Sequence, residues 1–336
     1  MTTGKPRSSR RRLVGVAVGV GLVLALVLGP RVRFQVEWRE AAPTDDLDRW
    51  IASEEGGIPE IRTGDARGIV WHDAESRART PISIVYLHGF SADRHEIEPV
   101  VSDLARTFGA NVYFTRLMGH GRDGPAMAEA TVEGWLSDAV EAVGVGGRIG
   151  ETVVLIGTST GGTLATWAAT REEAQDRLGA VVLLSPNYQP ANRQARIMLL
   201  PWGALVARLV AGKERCFIAE NDEQARHWTT CYPISAIATM MGLVEFVRTL
   251  DVSGITTPTL VVYSTDDQVV DPTETQRVVE RMPPAMVTQL TDLRSEDPSG
   301  HVPAGDILSP ASNDAVHGAI ADFLRAVLTQ EDAGAR

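Results

Sequence analysis

The sequence predicts an α/β domain: a mostly parallel central sheet with helices on both faces and one helical insertion. Three observations predict it. Short apolar runs such as Ile82–Leu87, Thr152–Ile156, Ala180–Leu184 and Pro258–Tyr263 lack strict alternation and read as strands buried on both faces. Segments with helical spacing separate them. One stretch, Asn187 to about Asp251, breaks the alternation: it holds no convincing strand and reads as a helical cap between strands.

The chain begins with a basic stretch, residues 1–12, holding Lys5, Arg7, Arg10, Arg11 and Arg12 and no acid. Residues 13–30 follow, uncharged from Leu13 to Gly29 and made mostly of Val, Leu, Ala and Gly. As a helix, Leu13–Gly29 spans roughly 25 Å, slightly less than a hydrocarbon core of about 30 Å. The preceding cations outnumber Arg31 and Arg33 behind it, which orients the N-terminus to the cytoplasm. A membrane anchor and a cleaved signal segment both fit, and either places the remaining chain outside the cytoplasm. Val27-Leu28-Gly29 would serve as a cleavage site, but Pro30 opposes cleavage.

Residues 31–67 read as a polar linker with a short helix near Leu47–Ser53, and 68–330 as the α/β domain with its cap at about 187–251. Within the domain, strands are expected at Gly68–Trp71, Ile82–Leu87, Asn111–Thr115, Thr152–Ile156, Ala180–Leu184, Pro258–Tyr263 and Met286–Leu290. Helices are expected at Glu98–Phe108, Val132–Val143, Thr163–Thr170 and Val316–Leu328.

The formal net charge is -11, and the first twelve residues contribute five cations, so the remainder carries -16. A body that acidic repels nucleic-acid phosphates, and no basic stripe with interleaved aromatics offsets it. The two cysteines, Cys216 and Cys231, fit a disulfide in an oxidising compartment, although spacing alone does not show that their Cβ atoms face each other. The seven histidines show no ligand spacing on a predicted helix and the cysteines lack zinc spacing, so no metal site is expected.

The strongest chemical signal is Gly157-Thr-Ser159-Thr-Gly161, directly after one strand and before a helix. A nucleophilic serine needs that context: a sharp turn projects its hydroxyl above the sheet, and small neighbours let strand and helix approach. Leu87-His-Gly-Phe90-Ser91 follows an earlier strand, where the Phe90 N–H, with that of Thr160, is placed to stabilise an oxyanion. His88 and His120, the latter in Gly119-His-Gly121, read as loop braces. An acid is expected in Tyr263-Ser-Thr-Asp-Asp-Gln-Val-Val270. Both Asp266 and Asp267 are available, and Asp267 is preferred because the following residues would pack down and aim it. A base is expected after the acid, where His301 in a Gly/Pro-rich loop is preferred to His317 in the closing helix.

This set of motifs, with Gly300-His-Val302, resembles the α/β-hydrolase superfamily over roughly residues 68 to 328. It is most similar to the carboxylesterase, monoacylglycerol-lipase and lysophospholipase-like branch, which includes serine aminopeptidase relatives. The resemblance implies an eight-stranded sheet, a helical cap and no cofactor. It also implies Ser159 as nucleophile, Asp267 as acid, His301 as base, and Phe90 and Thr160 as oxyanion donors. Pro303–Asn313 departs from the pattern by lengthening the loop after the histidine.

The function expected is hydrolysis of a carboxylic ester, acyl or lipid-like, with no nucleic-acid partner. Met198, Leu199, Leu200, Trp202, Leu205, Met240, Met241, Leu243 and Phe246 either line an acyl tunnel or pack the cap onto the core. An acyltransferase, a peptidase and a non-catalytic binding protein are the alternatives.

Overall fold

Strand pairing at the centre of the sheet sets the positions of everything else. In the computed structural model, which describes residues 7–29, 38, 46–291 and 295–334, β1 is Gly68–Val70, β2 Thr80–Leu87, β3 Asn111–Phe114, β4 Gly150–Thr158 and β5 Leu178–Leu184. β6 is Glu214–Cys216, β7 Cys231–Pro233, β8 Thr259–Val262 and β9 Val287–Leu290. The main sheet runs β1-β3-β2-β4-β5-β8-β9. Only β1 is antiparallel to its neighbour. The register puts Leu87 of β2 opposite Gly157 of β4, so the loops leaving these strands emerge side by side.

The apolar runs form the central strands because both sheet faces are covered. Val85, Leu155, Val181 and Val261 face one core layer, which includes Trp135 and Trp167. Ile84, Val154, Val182 and Leu260 face another, closed by Val316, Ile320 and Leu324. The helix that supplies these three, Asn313–Gly334, has them at the spacing of a single helical face.

Three sequence expectations change. Seven strands lie in the sheet among the described residues, against the eight implied by resemblance. Ahead of β1 lies the Leu47–Gly56 helix, capped by Asp46 accepting from the Arg49 N–H at 3.0 Å. Leu47 and Ile51, one turn apart, join the core, so residues 46–67 pack onto the domain rather than hang from it. The cap is not wholly helical: between β5 and β8 it contains the antiparallel pair β6–β7, with Cys216 opposite Cys231 and the two disulfide-bonded. Glu214-Arg-Cys216 and Cys231-Tyr-Pro233 contain no apolar run that marks them as strands in the sequence.

The N-terminal apolar segment forms the helix Arg7–Leu28. Among the described residues no helix is long and apolar enough to cross a membrane, so they do not support the expected transmembrane anchor. Arg31, Arg33 and most of residues 30–45 lie outside the described residues.

Glu55 locks the helix to the domain. Its carboxylate accepts from Arg116 Nε and Nη2, both at 2.8 Å, and Glu55 and Arg116 side chains are only 8% and 5% exposed. Glu55→Ala leaves the Arg116 charge buried without its carboxylate. We expect a loss of about 3 kcal/mol of unfolding free energy, measured by urea titration.

Candidate active site

Ser159 stands between β4 and the Thr160–Ala169 helix at φ 52°, ψ -114°, a backbone conformation that is costly for a residue with a Cβ. The surroundings hold it there. Its N–H donates to Leu184 O at 2.8 Å, and its carbonyl accepts from the N–H groups of Thr163 and Asn187, both at 3.0 Å. A Cβ on Gly157 would run into the Gly161 carbonyl, and one on Gly161 into the carbonyl of Leu87. The turn therefore closes against the β2 loop only with glycine at both positions.

That loop is fixed residue by residue around Phe90. The Gly89 N–H donates to Glu96 Oε2 at 2.8 Å and the Ser91 N–H to His120 Nε2 at 3.0 Å. His88 Nδ1 meets Gly89 O at 2.9 Å, while its Nε2 accepts from the Leu117 N–H at 3.1 Å. Both histidines are fully buried. Burial pushes the His88 pKa down to about 4 and holds His120 well below its ordinary value, so each stays neutral and can accept from a backbone amide. Thr160 is the first residue of its helix, where a backbone N–H has no partner within the helix.

Asp267 and His301 meet directly. His301 Nδ1 lies 2.8 Å from Asp267 Oδ2, and Asp267 Oδ1 accepts from the N–H groups of Val269 and Val270 at 2.8 and 2.9 Å. Asp266 points to solvent and its N–H caps onto Ser264 Oγ. The long loop after His301 is cinched rather than loose. Asp297 Oδ2 accepts from the His301 and Val302 N–H groups at 2.9 and 2.8 Å, and Ser309 Oγ donates to Val302 O at 2.6 Å. His317 lies elsewhere, 3.1 Å from Thr107 Oγ1.

Burial draws the His301 pKa down, but the carboxylate of Asp267, by charge and hydrogen bond, and the charges of Glu96 and Asp297 outweigh it. The imidazole titrates above its ordinary 6.5. With Nδ1 committed to Asp267, Nε2 is the nitrogen left to exchange a proton.

Ser159, His301 and Phe90 all line one cavity of about 1370 Å³ beneath the cap. Met198, Leu199, Leu200 and Met240 contribute to its wall, as one of the two sequence readings had it. Met241 and Leu243 instead pack in the core, Phe246 against it, and Trp202 and Leu205 are exposed.

Glu96 and Asp297, which sequence reasoning missed, both line the cavity. Burial raises the Glu96 pKa to about 7 against the hydrogen bonds from Gly89 and Tyr86 that favour its charge. Neither carries a sequence signal beyond a polar residue in a loop.

Strand order, the sharp turn at Ser159 that forms an elbow between β4 and its helix, and the cap together define an α/β hydrolase. Residues 79–291 match the model of the serine aminopeptidase, S33 family, and the chain belongs to that family. A thermostable monoacylglycerol lipase from Bacillus sp. (strain H-257) is 30% identical over 89 residues, which span 26% of this chain and 35% of that relative. Among solved structures, a metagenome-derived lipolytic enzyme superposes with a TM-score of 0.65 at 20% identity, covering 80% of this chain and all of the other. A soluble variant of the Saccharomyces cerevisiae monoglyceride lipase gives 0.57 at 12% identity, covering 88% and 97%. Both share the fold.

The Asp267 carboxylate favours the charged imidazolium, so its removal should lower the His301 pKa. Proton NMR of the imidazole should show Asp267→Asn titrating at lower pH than the parent, with Asp266→Asn unchanged; equal shifts in both would contradict the assigned partner.

Proposed function

We propose that this protein is a serine esterase that cleaves carboxylic esters with an apolar acyl group through an acyl-enzyme on Ser159. The observation that carries the reading is that Ser159 and His301 face one apolar cavity under the cap, with Asp267 bonded behind the imidazole. In this mechanism His301 Nε2 takes the Ser159 proton as Oγ attacks the ester carbonyl. The Phe90 and Thr160 N–H groups stabilise the oxyanion. The C–O bond breaks and the imidazolium returns the proton to the leaving alcohol. Water, deprotonated by His301, then releases the acid and regenerates Ser159. Asp267 keeps its charge throughout and holds the ring.

The similarity to a monoacylglycerol lipase supports a lipid-like ester, and the methionine and leucine side chains of the cap suit an acyl chain. The family's description keeps peptide cleavage as a second reading, because the same acyl-enzyme can form from an amide. Transfer of the acyl group to another alcohol uses the same intermediate. We also propose that the chain is tethered at a membrane with its domain outside the cytoplasm. The basic N-terminal residues and the exposed Leu13, Val14, Val16 and Val18 support this. Recovery of the full-length chain in the soluble fraction without processing would count against the tether.

Ser159→Ala should lower kcat on p-nitrophenyl esters by about 10⁴ to 10⁶ with an unchanged thermal midpoint. Across a series of acyl chains, kcat/KM should rise from acetate to medium-length chains. Faster turnover of aminoacyl p-nitroanilides than of any ester would select the peptidase reading.

A further inference from the structure

Outside the lining of the Ser159 cavity, four side chains converge. Asp65, Asp93, His95 and His227 each present one ligand atom, and all four atoms lie within 4.8 Å of one another. They come from distant parts of the chain: Asp65 precedes β1, Asp93 and His95 follow β2, and His227 ends the cap helix Asp222–His227.

The geometry is specific. Asp93 spans both rings, with Oδ1 2.9 Å from His95 Nδ1 and Oδ2 2.9 Å from His227 Nδ1. Asp65 Oδ1 lies 3.9 Å from His95 Nδ1 and 3.7 Å from His227 Nδ1. Arg62 occupies the other Asp65 oxygen, Oδ2, at 2.6 Å and leaves Oδ1 facing the rings. A tetrahedral ion with bonds of about 2.0–2.1 Å needs donors roughly 3.3 Å apart, within the span of these separations.

Both histidines aim Nδ1 inward, and each outer nitrogen faces a carboxylate. His95 Nε2 is 3.5 Å from Glu98 Oε2, and His227 Nε2 is 3.9 Å from Glu223 Oε2. Carboxylates in that position fix the tautomer and orientation of metal-bound imidazoles and raise their basicity. The Asp65 and Asp93 side chains are 1% exposed, and charges so deeply buried need compensation. Arg94 pairs with Glu98 and Arg226 with Glu223, so with Arg62 three cations face four carboxylates and the cluster keeps net negative charge.

We propose that Asp65, Asp93, His95 and His227 bind a divalent transition cation, zinc foremost, that staples the cap to the core. Two imidazoles and two carboxylates suit zinc rather than magnesium or calcium, which prefer all-oxygen shells. The staple sits close to the Ser159 cavity. Asp93 is three residues beyond Phe90, the Thr229 N–H donates to Ser91 O at 2.7 Å, and Trp228, next to His227, lines the cavity. A bound ion therefore fixes the cap edge and the Phe90 loop together.

The test uses the full chain, stripped with a chelator and titrated with zinc alone by calorimetry. Its readouts are metal content and thermal midpoint, which are independent of ester turnover. We expect one zinc per chain retained after desalting, and a higher midpoint with zinc than without. His227→Gln and His95→Gln should each abolish both effects. Glu223→Gln, which within the cluster faces only the outer nitrogen of His227, should weaken binding about tenfold. Cobalt substitution should give the intense visible absorption of a tetrahedral site in the parent and not in His227→Gln, which keeps the test valid if one variant folds poorly. No retained zinc with no change in midpoint overturns the proposal and leaves a hydrogen-bonded Asp–His network. Zinc binding that survives both histidine variants also overturns it, by placing the metal elsewhere.

Discussion

The contact between the Ser159 turn and the Leu87–His88 backbone is the constraint on which the site depends. β2 and β4 are hydrogen-bonded neighbours, and their register brings Leu87 level with Gly157. The helix after Ser159 must then start almost against the β2 loop, where a side chain on Gly161 has no room. The strain at Ser159 is the local cost of that approach, and the amide and carbonyl bonds to Leu184, Thr163 and Asn187 offset it. Because the two loops are thus held in register, Ser159 and Phe90 both come to line the same cavity.

Around this contact the histidines divide by their partners, not by their exposure. His88 and His120 are buried among backbone groups and kept neutral, so they act as acceptors that shape the Phe90 loop. His301 is also buried, but it faces the carboxylates of Asp267, Glu96 and Asp297 and is pushed the other way. His95 and His227 face Asp93 between them. One residue type thereby supplies loop braces, the imidazole bonded to Asp267 and a cluster across the cap edge.

The cap links these regions. Its helices supply Met198 and Met240 to the cavity wall, its β6–β7 pair is closed by the Cys216–Cys231 bond, and His227 reaches back to Asp93. Its contacts with the core are therefore both apolar and charged. His227–Asp93 lies beside the Phe90 loop, while Arg193–Asp271 and Arg248–Glu274 tie the cap to the segment after β8.

The sequence by itself determined the sheet, the elbow and the order of the serine, acid and base candidates. These rest on local patterns: apolar runs, small residues around Ser159, and loop residues at strand ends. It preferred Asp267 to Asp266 on the Gln-Val-Val that follows; the structure adds that the Val269 and Val270 amides donate to Asp267, while Asp266 is exposed. Only the tertiary structure decided which cap residues line the cavity: of the adjacent Met240 and Met241, both join the core and only Met240 also reaches the cavity wall. It alone folded residues 46–67 onto the domain through Glu55, and it alone revealed Glu96 and Asp297. The Asp65–Asp93–His95–His227 cluster is the clearest case. No spacing rule foresees ligands drawn from three segments, because their meeting is fixed by how the cap and the chain ahead of β1 pack on the sheet.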